Sequence, residues 1–117
     1  MISIIDDDPS VREATGTFVR SLGYRAALFA SAEDFLASDG IQASACVISD
    51  VRMPGMTGPE LQQRLIDNLV HVPVIFVTAF AEDQVRQRVL AAGAYGYLTK
   101  PFAPHRLASC LDAATAP

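Results

Sequence analysis

Five short apolar runs, Ile2 to Ile5, Ala27 to Phe29, Cys46 to Ser49, Val74 to Val77 and Tyr95 to Leu98, recur along the chain between segments of helical period. Most are continuous rather than alternating, the pattern of strands covered on both faces and therefore of a parallel sheet flanked by helices. The helices between them carry their own start and stop signals. Pro9 suits a first helical position behind an Asp8 cap, Val11, Thr15, Phe18, Val19 and Leu22 form one stripe, and Gly23 ends it. Ser31 followed by Asp34 resembles a capping box, and Pro59 opens a helix carrying Leu61, Leu65 and Leu69. Gly93 closes a helix carrying Val85, Val89 and Ala92, and a last helix follows Pro104 with Leu107 and Leu111 inward. Five βα units result, which right-handed crossovers pack as a three-layer α/β sandwich. In such doubly wound sheets ligands sit at the carboxyl ends of the strands, near the point where strand order reverses.

A chain of 117 residues matches one ordinary domain, so residues 1–117 are expected to fold as a single unit, with only the closing ATAP reading as a fraying end. No apolar run reaches the ~18 residues that span a bilayer, and MISIID lacks the basic-then-apolar start of a secretory leader. A cytoplasmic protein with no membrane partner is expected. Cys46 and Cys110 show neither CxxC spacing nor a histidine placed to complete a metal site, and read as reduced buried thiols. A net charge of −4 without a lysine or arginine cluster argues against direct binding to nucleic acid.

The polar residues at the strand ends are more informative. Asp6 and Asp7 follow the first strand, Asp50 the third, Thr78 the fourth and Lys100 the fifth. Taken singly, an aspartate after a strand is a turn former or helix cap, a strand threonine is a β-former, and a lysine is a solvated charge. Their convergence on one rim overturns those readings for all but Asp8, which is assigned to capping. Clustered carboxylates repel unless a cation sits among them, and a hard ion such as Mg²⁺ takes one or two carboxylates together with waters and phosphate oxygens. A carboxylate with a pKa of ~4 is ionised at neutral pH and needs no general base to attack phosphorus. An ammonium and a hydroxyl then answer the charge on a transferring phosphoryl group. Neither GxGxxG nor GxxxxGK[ST] occurs, which argues against a nucleotide donor.

Over nearly its whole length the sequence resembles the receiver domain of two-component response regulators, through IIDDDPSVRE, ISDVRMPGMTGPEL, VTAF and GYLTKPF in family order. The DVRMPGMTG form is most similar to the FixJ-type group, whose members carry a helix-turn-helix DNA-binding domain after the receiver. The resemblance implies a flavodoxin-like (βα)5 fold with a five-stranded parallel sheet of order 2-1-3-4-5. It implies that Asp50 is the phosphoacceptor, charged from a phosphohistidine on a sensor histidine kinase. Mg²⁺ or Mn²⁺ would be held by Asp6, Asp7, Asp50 and the backbone carbonyl of Arg52, on a loop turned by Pro54, Gly55 and Gly58. Thr78 and Lys100 would contact the phosphoryl group, Lys100 through a cis bond to Pro101, and Tyr97 would act with Thr78 as the switch. The face formed by the fourth helix, fifth strand and fifth helix would then change partners, with Asp83, Arg86, Arg88 and Lys100 to His105 supplying contacts, including those of a phosphorylation-dependent homodimer.

By the same resemblance, Arg52 and Phe80 flank the path of an attacking water, and a bulky apolar Phe80 cannot orient it, so slow self-dephosphorylation is expected. The domain would be a phosphorylation-activated signalling switch, catalysing only its own phosphoryl transfer, with any output domain outside the sequence. Two other readings stand beside it. Asp6-x-Asp8 has the nucleophile-acid spacing of haloacid-dehalogenase-type phosphatases, although only Asp112 follows Lys100 as a further acid. A receiver-like binding module could also switch partners without phosphorylation.

Overall fold

One parallel sheet of strand order β2-β1-β3-β4-β5 organises the protein, seen in a computed structural model that describes residues 1–116. The strands are β1 (Ile2–Ile5), β2 (Ala26–Phe29), β3 (Cys46–Asp50), β4 (Val74–Thr78) and β5 (Gly96–Thr99). The helices are α1 (Pro9–Ser21), α2 (Ala32–Leu36), α3 (Gly40–Ala43), α4 (Gly58–Asp67), α5 (Asp83–Ala91) and α6 (Pro104–Thr115). Every strand pair is parallel: Ile4 aligns with Leu28 on one side and Ile48 on the other, and Ile75 follows Ile48 and precedes Gly96. This is the expected doubly wound architecture and strand order.

Successive strand residues point to opposite faces, so the sheet carries a core on each. Ile2, Ile4, Cys46, Ile48, Ile75, Val77 and Leu98 pack with Val19 of α1 and Leu107 and Leu111 of α6. Ile5, Val47, Val74 and Phe76 pack with Phe35, Leu61, Leu65 and Val89 from the opposite helices. Burying such a side chain fully contributes about 1.5–3 kcal/mol, which explains why the central strands read as uninterrupted apolar runs. Cys46 and Cys110 are free thiols; Cys46 is buried, its pKa pushed up to about 12 by that burial, whereas Cys110 is only half-buried.

Several local expectations need correction. Strands β3 and β4 run one residue further than the apolar pattern, taking in Asp50 and Thr78, while Tyr95 lies outside β5 and is exposed. The second βα unit holds two short helices instead of one. The Ser38 hydroxyl donates to the Phe35 carbonyl and accepts from the Gly40 amide, offering the backbone a turn in place of another helical step. Ser31 accepts from the Asp34 amide, but only half the capping box forms there; the full reciprocal box lies at Thr57 and Glu60, opening α4. Leu69 sits beyond α4 with φ 59 and is 78% exposed, taking the left-handed stop position that Gly23 and Gly93 take after α1 and α5. Leu22 caps α1 and is exposed rather than completing its buried stripe. Within ATAP, Ala114 and Thr115 are the last residues of α6 and Ala114 is buried; Pro117 lies outside the described residues. Among the described residues no helix is long and apolar enough to cross a membrane.

Candidate functional site

The ladder of the sheet carries the polar residues to one rim. After β1 the Asp6 amide still donates to the Phe29 carbonyl at 3.1 Å, extending the pairing with β2 by one residue. Asp50 closes β3 opposite Val77, Thr78 closes β4 opposite Thr99, and the Lys100 amide donates to the Thr78 carbonyl at 2.7 Å. Backbone hydrogen bonds thus fix where the Asp6, Asp50, Thr78 and Lys100 side chains start.

Asp6 is 2% exposed: one carboxylate oxygen accepts from the Asp8 amide at 2.9 Å, and the other lies 3.4 Å from the Lys100 ammonium, leaving lone pairs on both. Asp50 lies 3.9 Å from the same ammonium, and Asp7 is exposed beside them. One carboxylate oxygen from each of Asp6, Asp7 and Asp50 lies within 4.8 Å of the others. Of the three carboxylates, Asp6 and Asp50 face the Lys100 ammonium. Burial pushes the Asp50 carboxyl above the ordinary carboxylate range, Lys100 opposes that rise, Asp6 adds to it, and the Val51 and Arg52 amides draw it back. Thr78 is almost wholly buried; its hydroxyl oxygen accepts from the Phe80 amide at 3.2 Å, leaving its own proton for another acceptor. The Lys100–Pro101 peptide bond is cis.

This arrangement can hold a hard divalent ion. The donors are carboxylate oxygens, close enough to share one ion, unpaired with any guanidinium and open to solvent at Asp7, which is the donor set Mg²⁺ or Mn²⁺ favours. Tyr97 lies beside the site. Half-buried, it donates its hydroxyl to the Phe80 carbonyl at 3.3 Å, joining β5 to the loop between β4 and α5.

The Asp8 side chain has a different task. Exposed, it accepts from the Ser10 and Val11 amides at 2.9 and 3.3 Å, capping α1 as expected. Asp112, the acid after Lys100, binds the Tyr24 hydroxyl at 2.9 Å. The two further acids of the phosphatase reading are thus engaged as a helix cap and with Tyr24. Arg88 lines a groove with Glu60, Arg64 and Asp67 of α4, and Asp83 and Arg86 are exposed on the same helix, α5.

Three supporting residues escaped the sequence reading. Arg12 donates to the Asp6 carbonyl at 2.8 Å and braces the acidic turn. Glu33 of α2 accepts from the Met56 amide at 3.1 Å, holding the loop after Asp50 where Gly55 takes φ 75. Glu82 pairs with Arg52. Only Arg12 is close in sequence to what it holds; Glu33 and Glu82 act across 23 and 30 residues, so no local pattern points to them.

Comparison with known proteins gives a consistent outcome. The family model for the response regulator receiver domain matches residues 2–112. Response regulator protein TmoT of Ectopseudomonas mendocina is 40% identical over 102 residues, covering 87% of this chain and 46% of that protein. Transcriptional regulatory protein FixJ of Bradyrhizobium diazoefficiens is 33% identical over 97% of this chain and 55% of its own length. The chain thus spans about half the length of these curated relatives. Among solved structures, response regulator StyR superposes with a TM-score of 0.90 at 34% identity over 97% of this chain and 58% of that one. The crystal structure of FixJ-N gives 0.87 at 28% over 97% and 91%.

Proposed function

This chain belongs to the response regulator receiver domain family, and from that premise we propose that residues 1–117 form a phosphorylation-activated switch in which Asp50 accepts a phosphoryl group from a phosphohistidine of a sensor histidine kinase. The observation that carries the reading is the meeting of Asp6, Asp7 and Asp50 within 4.8 Å, with Lys100 against two of them. Buried strands have no structural need to end in such a set, and the mutual repulsion is a cost unless charge is to be handled there.

Asp6, Asp7 and Asp50, with the Arg52 carbonyl, would hold Mg²⁺ or Mn²⁺, which when bound supplies charge neutralisation at the phosphoryl oxygens. The protein's own groups divide the remaining work. The Asp50 carboxylate oxygen attacks phosphorus while the bond to the histidine nitrogen breaks and its electron pair stays on the imidazole. Lys100, held between Asp6 and Asp50, draws a phosphoryl oxygen to itself. Thr78 turns its hydroxyl proton to another, which shifts the loop that the Phe80 amide and carbonyl tie to Thr78 and Tyr97. That connection lets occupancy at Asp50 reach the surface of α5, β5 and α6. The bias needed is modest, since moving a two-state equilibrium from 1:99 to 99:1 takes about 5.5 kcal/mol.

Homologues of about twice this length named as transcriptional regulators support a DNA-binding output in the whole protein, with the receiver face controlling it or a homodimer. Incubation with acetyl phosphate and Mg²⁺ tests the core of the reading: the intact mass should rise by one phosphoryl group, and a chelator should prevent it. Asp7→Asn should lower the apparent Mg²⁺ affinity by at least about tenfold and, by removing one of three mutually repelling carboxylates, should leave the metal-free protein no less stable, as measured by phosphorylation against Mg²⁺ concentration and by thermal melting in a chelator. Failure to react with acetyl phosphate, a phosphorylated kinase or beryllofluoride would leave the phosphorylation-independent binding module as the better account.

A further inference from the structure

We propose that Glu82 is a positioning residue whose carboxylate holds the Arg52 guanidinium across the Phe80 ring, and that this clasp sets how long a phosphoryl group on Asp50 survives. The inference rests on the reading of Asp50 as phosphoacceptor. Arg52 donates through Nε at 2.9 Å and through Nη2 to the same carboxylate oxygen of Glu82. Its guanidinium carbon lies 4.7 Å from the centre of the Phe80 ring. The partners belong to the two loops that border the acceptor: the Arg52 amide lies 3.4 Å from an Asp50 carboxylate oxygen, and the Phe80 amide donates to Thr78.

The placement of Glu82 suggests that the clasp is its task. It occupies the cap position of α5, yet its side chain makes no hydrogen bond to the helix. Neither buried packing nor capping explains a carboxylate turned back across the rim to Arg52. Phe80 is 54% exposed and has no core to hold its ring in place. Stacked against a guanidinium that is itself pinned, the ring is held on the loop that follows Thr78; released, it is free to turn into solvent.

The step the clasp opposes is hydrolysis. A water oxygen bonds to phosphorus, the bond from phosphorus to the Asp50 oxygen breaks with its electron pair left on the carboxylate, and the water's proton leaves with inorganic phosphate or to solvent. Water must enter past the rim to make that bond, and the guanidinium and ring stand there without a general base to activate it. An exposed ion pair and a cation-π contact are individually weak, so their joint loss should change the closed-to-open ratio by about three- to tenfold.

The test is the decay of the phosphorylated protein after removal of the phosphodonor, for the wild type, Glu82→Gln, Arg52→Met and the double variant. Arg52→Met keeps the backbone carbonyl that would face the metal. Glu82→Gln is expected to shorten the lifetime about three- to tenfold without moving the thermal midpoint, and to add nothing in the Arg52→Met background. Raising salt to ~0.5 M should shorten the wild-type lifetime and leave that of Glu82→Gln nearly unchanged, because the pair is exposed and screened. An unchanged lifetime in Glu82→Gln, or an undiminished effect in the Arg52→Met background, overturns the clasp alone. A wild type that takes up no phosphoryl group overturns it together with the Asp50 reading.

Discussion

Asp50→Asn is expected to abolish uptake of the phosphoryl group from acetyl phosphate or a phosphorylated kinase, a loss of about a thousandfold or more, as when a reaction's nucleophile is removed. The amide has the shape of the carboxylate but no attacking oxygen, and the nearest buried carboxylate, Asp6, is engaged with Lys100 and the Asp8 amide. Phosphate bound to Asp6 or Asp7 in the variant would count against Asp50 as acceptor. The same substitution has a second signature. Since burial raises the Asp50 pKa in the folded state, the folded chain holds that proton more tightly than the unfolded one. Stability from this group is therefore greatest at acid pH and falls as pH rises from the unfolded carboxylate range through the raised folded value. Asn carries no such charge, so in a chelator at neutral pH the variant should melt at a higher temperature than the wild type, with the gap closing as pH falls. Mg²⁺ should then stabilise the wild type more than the variant.

Gly58→Ala is expected to destabilise the protein by about 3 kcal/mol, at the upper end of what overpacking costs, measured by urea unfolding. Gly58 begins α4 directly beneath the acceptor, and its amide donates to the Val51 carbonyl at 2.9 Å. A Cβ there would press into the Asp50 carbonyl oxygen and lie 2.8 Å from the Phe76 ring and 3.1 Å from the Val51 Cα. Backbone and a fully buried ring cannot retreat as a flexible side-chain tip can, so the strain falls on the strand end that presents Asp50. Gly23→Ala is the control: with φ 96 but open space around it, it should cost only about 1 kcal/mol. Since Gly58 takes no positive φ, a loss there no larger than at Gly23 would mean that a small backbone shift relieves the close approach.

The sites of these two substitutions were legible to different degrees. Asp50 could be found because it ends an apolar run, and Thr78 and Lys100 for the same reason, since parallel strands buried on both faces can present polar groups only at their ends. Gly58 looked like a turn residue in the loop after Asp50; that its Cα lies against the Asp50 carbonyl and Phe76 depends on how α4 docks. Leu69 shows the opposite failure. Its spacing from Leu61 and Leu65 fits the helix stripe, yet the helix ends at Asp67 and Leu69 turns left-handed into solvent.

Periodicity and strand-end chemistry alone were enough for the five βα units, the two-sided burial and the rim of Asp6, Asp7, Asp50, Thr78 and Lys100, because hydrophobic pattern and chain direction are local properties that every residue reports. The pairing of Lys100 with both Asp6 and Asp50, the brace from Glu33, the groove that Arg88 lines with α4 and the clasp of Arg52, Phe80 and Glu82 were decided only in three dimensions. Each joins residues far apart in the chain across loops whose course no local pattern encodes, and each depends on distances of a few ångströms that exist only once the sheet has brought its strand ends together.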